Sequence, residues 1–315
     1  MSSVTDILEK INNKRVSRRE LARLLAVETE AEFAPVFEAS AKACYDNYGD
    51  AVFVRGIVEF SNNCRRNCRY CGIRRENTSV KRYQAEAAEI FRAVNDMYEQ
   101  GIRTLVLQSG EHMSADGFLI SIIRYIKENH DMAITLSVGE RRPHRYREFK
   151  EAGADRFLLR VETTDKSLFA ELHPDTDYDE RLACLNELRD AGFETGTGVM
   201  IGLPGQSYES LAADLLFFRE FEPEMIGVGP FIPHDDTPLS MERAGSIFIT
   251  LKFLSLCRIM VPAANIPATT AMGTIHPKGR QMALKAGANV IMPNYTPLTY
   301  RKLYKLYNNK ICLSE

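Results

Sequence analysis

The stretch Val52-Phe53-Val54-Arg55-Gly56-Ile57-Val58-Glu59-Phe60 is a largely apolar, β-branched run that breaks directly into a polar loop, Ser61-Asn62-Asn63-Cys64. A short run of this kind, bounded by turn residues, reads as a buried strand. Before it, residues 1–48 carry helical periodicity and no strand. Val4, Ile7, Leu8 and Ile11 share one face, then Leu21, Leu24 and Leu25, then Ala41, Cys44 and Tyr45. After it, short apolar runs alternate with longer amphipathic stretches almost to the end. Strands are expected at 52–60, 104–109, 133–138, 156–161, 195–201, 225–231, 266–271 and 289–293. Helices are expected near 81–100, 116–129, 144–152, 179–191, 207–220, 247–260, 277–286 and 299–306. Strand-helix alternation of this kind makes a parallel sheet, and eight units close it. The expected fold class is therefore α/β, a (βα)8 TIM-type barrel with an N-terminal helical cap.

The punctuation agrees. Gly101, Gly153, Gly192 and Gly287 each follow a helical stretch and precede a strand, where a left-handed residue turns the chain back into the sheet. No low-complexity tract or linker interrupts the pattern. The expected organisation is a cap over 1–48, a barrel over 49–308 and a tail over 309–315.

Composition narrows the function classes. With 315 residues, 45% hydrophobic and 26% charged, the chain has enough apolar sequence for one barrel and its trimmings. Forty basic against 42 acidic residues leave a net charge of -2, too little positive field to hold a phosphate backbone, so no nucleic-acid partner is expected. No apolar run approaches the ~18 residues of a membrane span, and the first 15 residues are polar and charged. A cytoplasmic protein with no membrane partner is expected. Of seven cysteines, Cys64, Cys68 and Cys71 crowd into eight residues, which favours a metal or cluster over a disulfide framework.

In a parallel barrel, chemistry belongs at the C-terminal ends of the strands. That rule selects the loop after Phe60 and the segments 108–111, 137–140, 160–163, 202–205, 231–235, 269–272 and 292–295. The first of these carries the CxxxCxxC spacing. Three thiolates from one loop hold three irons of a four-iron cluster and leave the fourth open for an external ligand. Zinc is the competing reading, but it favours four ligands, and no second CxxC or HxxxH pair follows. Arg65, Arg66, Arg69, Arg74 and Arg75 read either as a solvated charge run or as compensation for an anionic cluster.

With Tyr70 before its third cysteine, the motif resembles the radical S-adenosylmethionine (SAM) superfamily. Further blocks narrow the resemblance to its [FeFe]-hydrogenase maturases: Tyr70-Cys71-Gly72-Ile73-Arg74-Arg75, Leu107-Gln108-Ser109-Gly110-Glu111, Leu203-Pro204-Gly205-Gln206, Gly229-Pro230-Phe231-Ile232-Pro233-His234, Ile266-Pro267-Ala268-Thr269-Thr270-Ala271-Met272-Gly273 and Ala288-Asn289-Val290-Ile291-Met292-Pro293-Asn294. Biotin synthase and methylornithine synthase are more distantly similar. The resemblance implies a [4Fe-4S] cluster on Cys64, Cys68 and Cys71. It also implies SAM, cleaved reductively to a 5′-deoxyadenosyl radical that acts on a cysteine-bound, CO- and CN-ligated iron precursor. An organometallic or amino-acid-derived substrate, an electron donor such as ferredoxin or flavodoxin, and other hydrogenase maturases are the implied partners.

The same resemblance implies site roles. Tyr70, Ser109, Gly110 and Glu111 stand where the family places cofactor contacts. Arg160 and Glu162, two apart on the fourth strand and so on one face, correspond to its carboxylate and ribose contacts, with Arg181 assisting. Arg55, Gln108, Thr135, Thr269 and Thr270 replace the aliphatic residues a purely structural lumen would prefer; by resemblance they line the cavity and bind substrate. Met225, Met292, Tyr304 and Tyr307 are candidate wall and lid residues. Cys44, Cys184 and Cys257 read as small buried hydrophobes, His173 as a loop residue, and His234 and His276 as possible ligands after strands six and seven. Family members of this type often carry an accessory cluster on three C-terminal cysteines. Here Cys312 stands at the first position without partners, so one cluster is expected. The rival functions are another radical reaction on an organic substrate, such as methylornithine synthesis, and a non-catalytic iron-sulfur carrier.

Overall fold

The structure, a computed structural model, describes residues 3–313; the outermost two residues of the expected cap and tail lie outside the described residues. Three helices, Val4–Asn12, Arg18–Leu25 and Glu30–Tyr48, open the chain. The first two start at reciprocal capping boxes, Ser3 with Asp6 and Ser17 with Glu20, and the third at Thr29, whose hydroxyl accepts from Glu32 N–H. Each cap satisfies donors the first turn leaves free, worth about 1 kcal/mol apiece. Leu21, Leu25, Phe33 and Val36 pack with Leu254 and Val261 near the helix Ile247–Met260, and Lys252 of that helix donates to the carbonyls of Leu25 and Val27. The expected face through Ala41 and Tyr45 is corrected: both are exposed. The buried stripe runs from Phe33 and Val36 to Ser40, a polar residue kept inside by its bond to Ala286 O at 2.8 Å.

Eight strands follow among the described residues: β1 (Phe53–Val54), β2 (Gly56–Ser61), β3 (Thr104–Ser109), β4 (Ala133–Ser137), β5 (Arg156–Leu158), β6 (Glu194–Ile201), β7 (Met225–Pro230) and β8 (Val290–Ile291). All pairings between these strands are parallel. β2 through β7 run in chain order, and β8 pairs with β1. The expected strand 52–60 is thus split at Arg55, because its first half pairs with the last strand and its second half with β3. Arg55 N–H donates to Ile291 O at 3.0 Å and Ile57 N–H to Pro293 O at 3.0 Å, which joins the two halves to the end of the barrel. The expected seventh strand, 266–271, is corrected. That segment makes one isolated bridge, Pro267 with Val290, beside another just before it, Asn265 with Met225, and a helix, Thr270–Ile275, begins inside the predicted range. Pro267 has no N–H to give a ladder.

Gly101, Gly153, Gly192 and Gly287 all have φ between +82° and +112°, as the punctuation required. The helices expected at 81–100 and 299–306 are shorter, Ala87–Glu99 and Leu298–Arg301, and Lys166–Leu172 is an additional helix. Leu105 and Leu107 of β3, Ile134 and Leu136 of β4 and Val58 of β2 are buried with Ile90, Ile122 and Phe149 from the surrounding helices. Each contributes about 1.5–3 kcal/mol by leaving water. Since strand residues alternate, the positions between them face the lumen: Arg55, Glu59, Val106, Gln108 and Thr135.

Candidate active site

The cysteine loop leaves the C-terminal end of β2, and side chains bonded to its backbone hold its irregular course. Asn62 accepts from Tyr83 N–H at 2.8 Å and donates to Leu303 O at 2.9 Å. Arg82 donates to the carbonyls of Asn62 and Ile73 at 2.7 and 2.8 Å, and Asn77 donates to Gly72 O at 2.7 Å. These bonds satisfy carbonyls that no helix or sheet serves. Gly110 lies against the loop. A Cβ there would strike Asn63 O and Cys64 Cβ, so glycine is what lets Ser109-Gly110-Glu111 approach the cysteines.

Cys64, Cys68 and Cys71 are all free thiols. Burial pushes Cys68 up to about 12 and raises Cys64 and Cys71, and the neighbouring thiols add to the rise at Cys68 and Cys71. Iron binds thiolates, so loading this loop must expel protons. Among the described residues, no three His, Cys, Asp or Glu groups converge as a single ion requires. Three nearby thiols, each available to its own iron, are the donor set of a cluster with one open corner.

A belt of buried charge surrounds the loop. Glu111 receives Arg65 Nε and Arg66 Nε, both at 2.7 Å, and its other oxygen accepts Glu140 N–H at 3.0 Å. Glu140 pairs with both Arg66 and Arg181, while Arg181 also donates to Arg160 O at 2.5 Å. Arg66 and Arg74 are largely covered, Arg65 and Arg75 half-exposed with carboxylate partners, and Arg69 exposed. The loop arginines mostly hold carboxylates and carbonyls rather than forming a free basic face. Sequence reasoning missed Glu140, although the rule of C-terminal strand ends had selected 137–140.

Arg160 and Glu162 do meet, at 3.2 Å. The reason differs from the expected strand alternation, because β5 ends at Leu158 and Glu162 has φ +67°. A left-handed, non-glycine residue costs on the order of 1–3 kcal/mol, and such residues gather at ligand sites. Burial raises the Glu162 carboxyl, and its Oε2 has no hydrogen bond among the described residues, nor does Arg160 Nε. Tyr70 places its hydroxyl 3.0 Å from His173 Nε2 and 3.5 Å from Glu162 Oε1. His173 lies just outside the helix Lys166–Leu172, as expected of a loop residue, but is 1% exposed.

The five lumen candidates spread along the barrel rather than meeting at one point. Gln108 stands near the C-terminal end, its side chain beside the Tyr304 hydroxyl. Thr269 opens a helix without capping it, and its buried hydroxyl, like that of Thr135, is unpartnered among the described residues. Thr270 is the first residue of that helix and half-buried. Arg55 sits at the opposite end, lining a pocket of about 760 Å³ with Arg103, Thr104 and Arg156. Burial lowers Arg55 to about 10, and its contact is the Met225 sulfur at 3.2 Å. Unpaired buried polar groups cost about 1–3 kcal/mol each. A polar ligand that bonds them offsets this cost, so the lumen and the thiols together fit a cluster with a charged, hydroxyl-bearing cofactor.

The segment after Tyr304, itself buried, crosses the C-terminal mouth. Leu306 O accepts from Gly72 N–H at 2.8 Å, Asn308 N–H donates to Pro233 O at 3.0 Å, and Lys310 pairs with Glu59. Tyr307 and Met292 are half-buried there, and Met225 is buried. His234 and His276 each accept a backbone N–H on Nδ1, from Asp236 and Lys278. Cys257 is buried as expected, while Cys44 and Cys184 are half-buried. Cys312 lies 3.3 Å from the Asn294 amide. Cys312→Ala is expected to retain wild-type iron content and wild-type 5′-deoxyadenosine formation. A large loss of either would mean that this thiol is a ligand.

Residues 58–218 match the family model described as the radical SAM superfamily. The [FeFe] hydrogenase maturase subunit HydE of Thermotoga maritima is 47% identical over 98% of this chain and 89% of its own. A crystal structure of methylornithine synthase superposes with a TM-score of 0.83 at 25% identity, over 91% of this chain and 85% of that one. The maturase HydG superposes with a TM-score of 0.83 at 24% identity, over 98% of this chain and 72% of that one, a likeness of fold. No described helix is long and apolar enough to cross a membrane.

Proposed function

The chain belongs to the radical SAM superfamily and, within it, to the HydE family of [FeFe]-hydrogenase maturases, and from that membership we propose that it acts on a cysteine-bound iron species carrying CO and CN ligands, a precursor of the hydrogenase active site. It is an enzyme that uses a [4Fe-4S] cluster and SAM. When bound, these supply one-electron cleavage of the sulfonium to a 5′-deoxyadenosyl radical.

Cys64, Cys68 and Cys71 hold the cluster in this reading. The backbone of Ser109 and Gly110 meets the SAM amine beside Glu111, Arg160 and Arg181 face its carboxylate, and Glu162 accepts from its ribose. Arg181 spends two donors on Glu140 and Arg160 O, and a guanidinium has five. Gln108, Thr135, Thr269 and Thr270 orient the substrate in the lumen, and Arg55 draws its anionic part toward the far end. The segment 304–311 keeps water from the mouth, which a radical reaction requires. A reducing donor and other maturases are its proposed partners, and the cytoplasm its proposed compartment.

The near full-length 47% identity carries this reading. A strain lacking its HydE-type maturase should regain hydrogenase activity when given this gene. No rescue, with conversion of lysine by the reconstituted protein, would overturn it in favour of methylornithine-type chemistry. Adding SAM should also change the electron paramagnetic resonance spectrum of the reduced cluster; an unchanged spectrum and no 5′-deoxyadenosine under dithionite would leave a cluster carrier.

A further inference from the structure

The Tyr70 hydroxyl has one proton and three acceptors around it: His173 Nε2 at 3.0 Å, Glu162 Oε1 at 3.5 Å and the Cys68 sulfur. The far side of the imidazole decides between them. His173 Nδ1 lies 3.1 Å from Phe169 O, and a carbonyl only accepts, so Nδ1 carries the ring proton. The ring is buried, stacked on Phe169 at 4.2 Å, and burial beside Arg181 and Arg66 lowers it to about 3, which keeps it neutral. A neutral ring protonated on Nδ1 has a bare Nε2, and the Tyr70 hydroxyl is the donor within reach. At 3.0 Å against 3.5 Å, that bond takes the proton. Tyr70 therefore turns lone pairs toward Glu162, whose Oε2 keeps the 3.2 Å ionic contact to Arg160 and no hydrogen bond among the described residues.

We propose that His173 is a positioning residue: it captures the Tyr70 hydroxyl proton and so leaves the Glu162 carboxylate open to the vicinal hydroxyls of a ribose-bearing ligand. This rests on the reading of Glu162 as a cofactor contact. Without His173, the hydroxyl is released to its remaining acceptors, Glu162 and the Cys68 sulfur, and at Glu162 it competes with the ligand.

The test is the SAM dissociation constant of the anaerobically reconstituted protein, read with cluster content and melting temperature. His173→Leu should bind SAM about tenfold more weakly, the worth of one hydrogen bond to a charged group. His173→Gln, which keeps a donor and an acceptor, should stay within about twofold. Adding Tyr70→Phe to His173→Leu should restore most of the affinity, because the competing hydroxyl is gone; a purely structural role for His173 predicts no such rescue. Where Leu lowers cluster content, His173→Phe supplies an acceptor-free ring that keeps the stack. Wild-type affinity in the acceptor-free variants, or no rescue by Tyr70→Phe, overturns the proposal. Glu162→Gln tests the premise: unchanged SAM binding there removes the Glu162 reading and the proposal with it. Weakened binding there beside wild-type binding in His173→Leu removes the positioning role alone.

Discussion

Alanine at any one of Cys64, Cys68 or Cys71 is expected to abolish the brown cluster chromophore and all 5′-deoxyadenosine formation under dithionite. All three thiols come from one loop whose backbone is fixed by Asn62, Arg82 and Asn77, so no substitute donor is positioned to replace a lost one. With two thiolates, two irons rather than one lack a protein ligand, so a partial site holds the cluster poorly. Alanine at Cys44, Cys184 or Cys257 should leave the cluster in place, since these thiols lie on the helices Glu30–Tyr48, Tyr178–Asp190 and Ile247–Met260, away from that loop. Iron analysis and absorbance after anaerobic reconstitution read the outcome. A cysteine-loop variant with wild-type iron content and turnover would show that the motif is not the cluster site.

What could be read from the sequence was whatever depends on neighbours in the chain. The thiols of Cys64, Cys68 and Cys71 lie within eight residues, and the four helix-ending glycines announce a backbone need that almost only glycine meets without strain. The seventh strand failed because 266–271 has strand composition while Pro267 interrupts its ladder and Thr270 starts a helix, a choice made by the neighbouring strands. Arg160 and Glu162, read as sharing one face of a strand, come together for another reason: the left-handed backbone at Glu162 is invisible to a rule of alternation. His173 and Glu140 were hidden for another cause. Their roles lie in partners 103 residues away at Tyr70 and 74 away at Arg66, contacts that only the closed barrel creates. Ser40 shows the same limit in the core, since a serine is counted as buried only once Ala286 O is beside it.

Glu140→Leu should be strongly destabilising. Glu140 is 5% exposed and serves two cations at once, Arg66 from the cysteine loop and Arg181 from the helix Tyr178–Asp190. Leucine fills similar volume but leaves both guanidiniums without their shared carboxylate. Removing one partner of a buried pair costs about 3–5 kcal/mol, mostly from the charge left unpaired. Arg66 keeps Glu111, and Arg181 keeps Arg160 O, so the lower half of that range applies. In a chain of this size, the melting temperature should fall by on the order of 5 °C. Glu140→Gln, which retains an acceptor, should fall less. Adding Arg181→Met to Glu140→Leu should recover part of the loss, because the stranded cation goes with it; two independent packing defects would instead add. Calorimetry on the reconstituted protein distinguishes these outcomes. A Glu140→Leu variant that melts with the wild type would mean that solvent, not this carboxylate, balances the arginines around the cysteine loop.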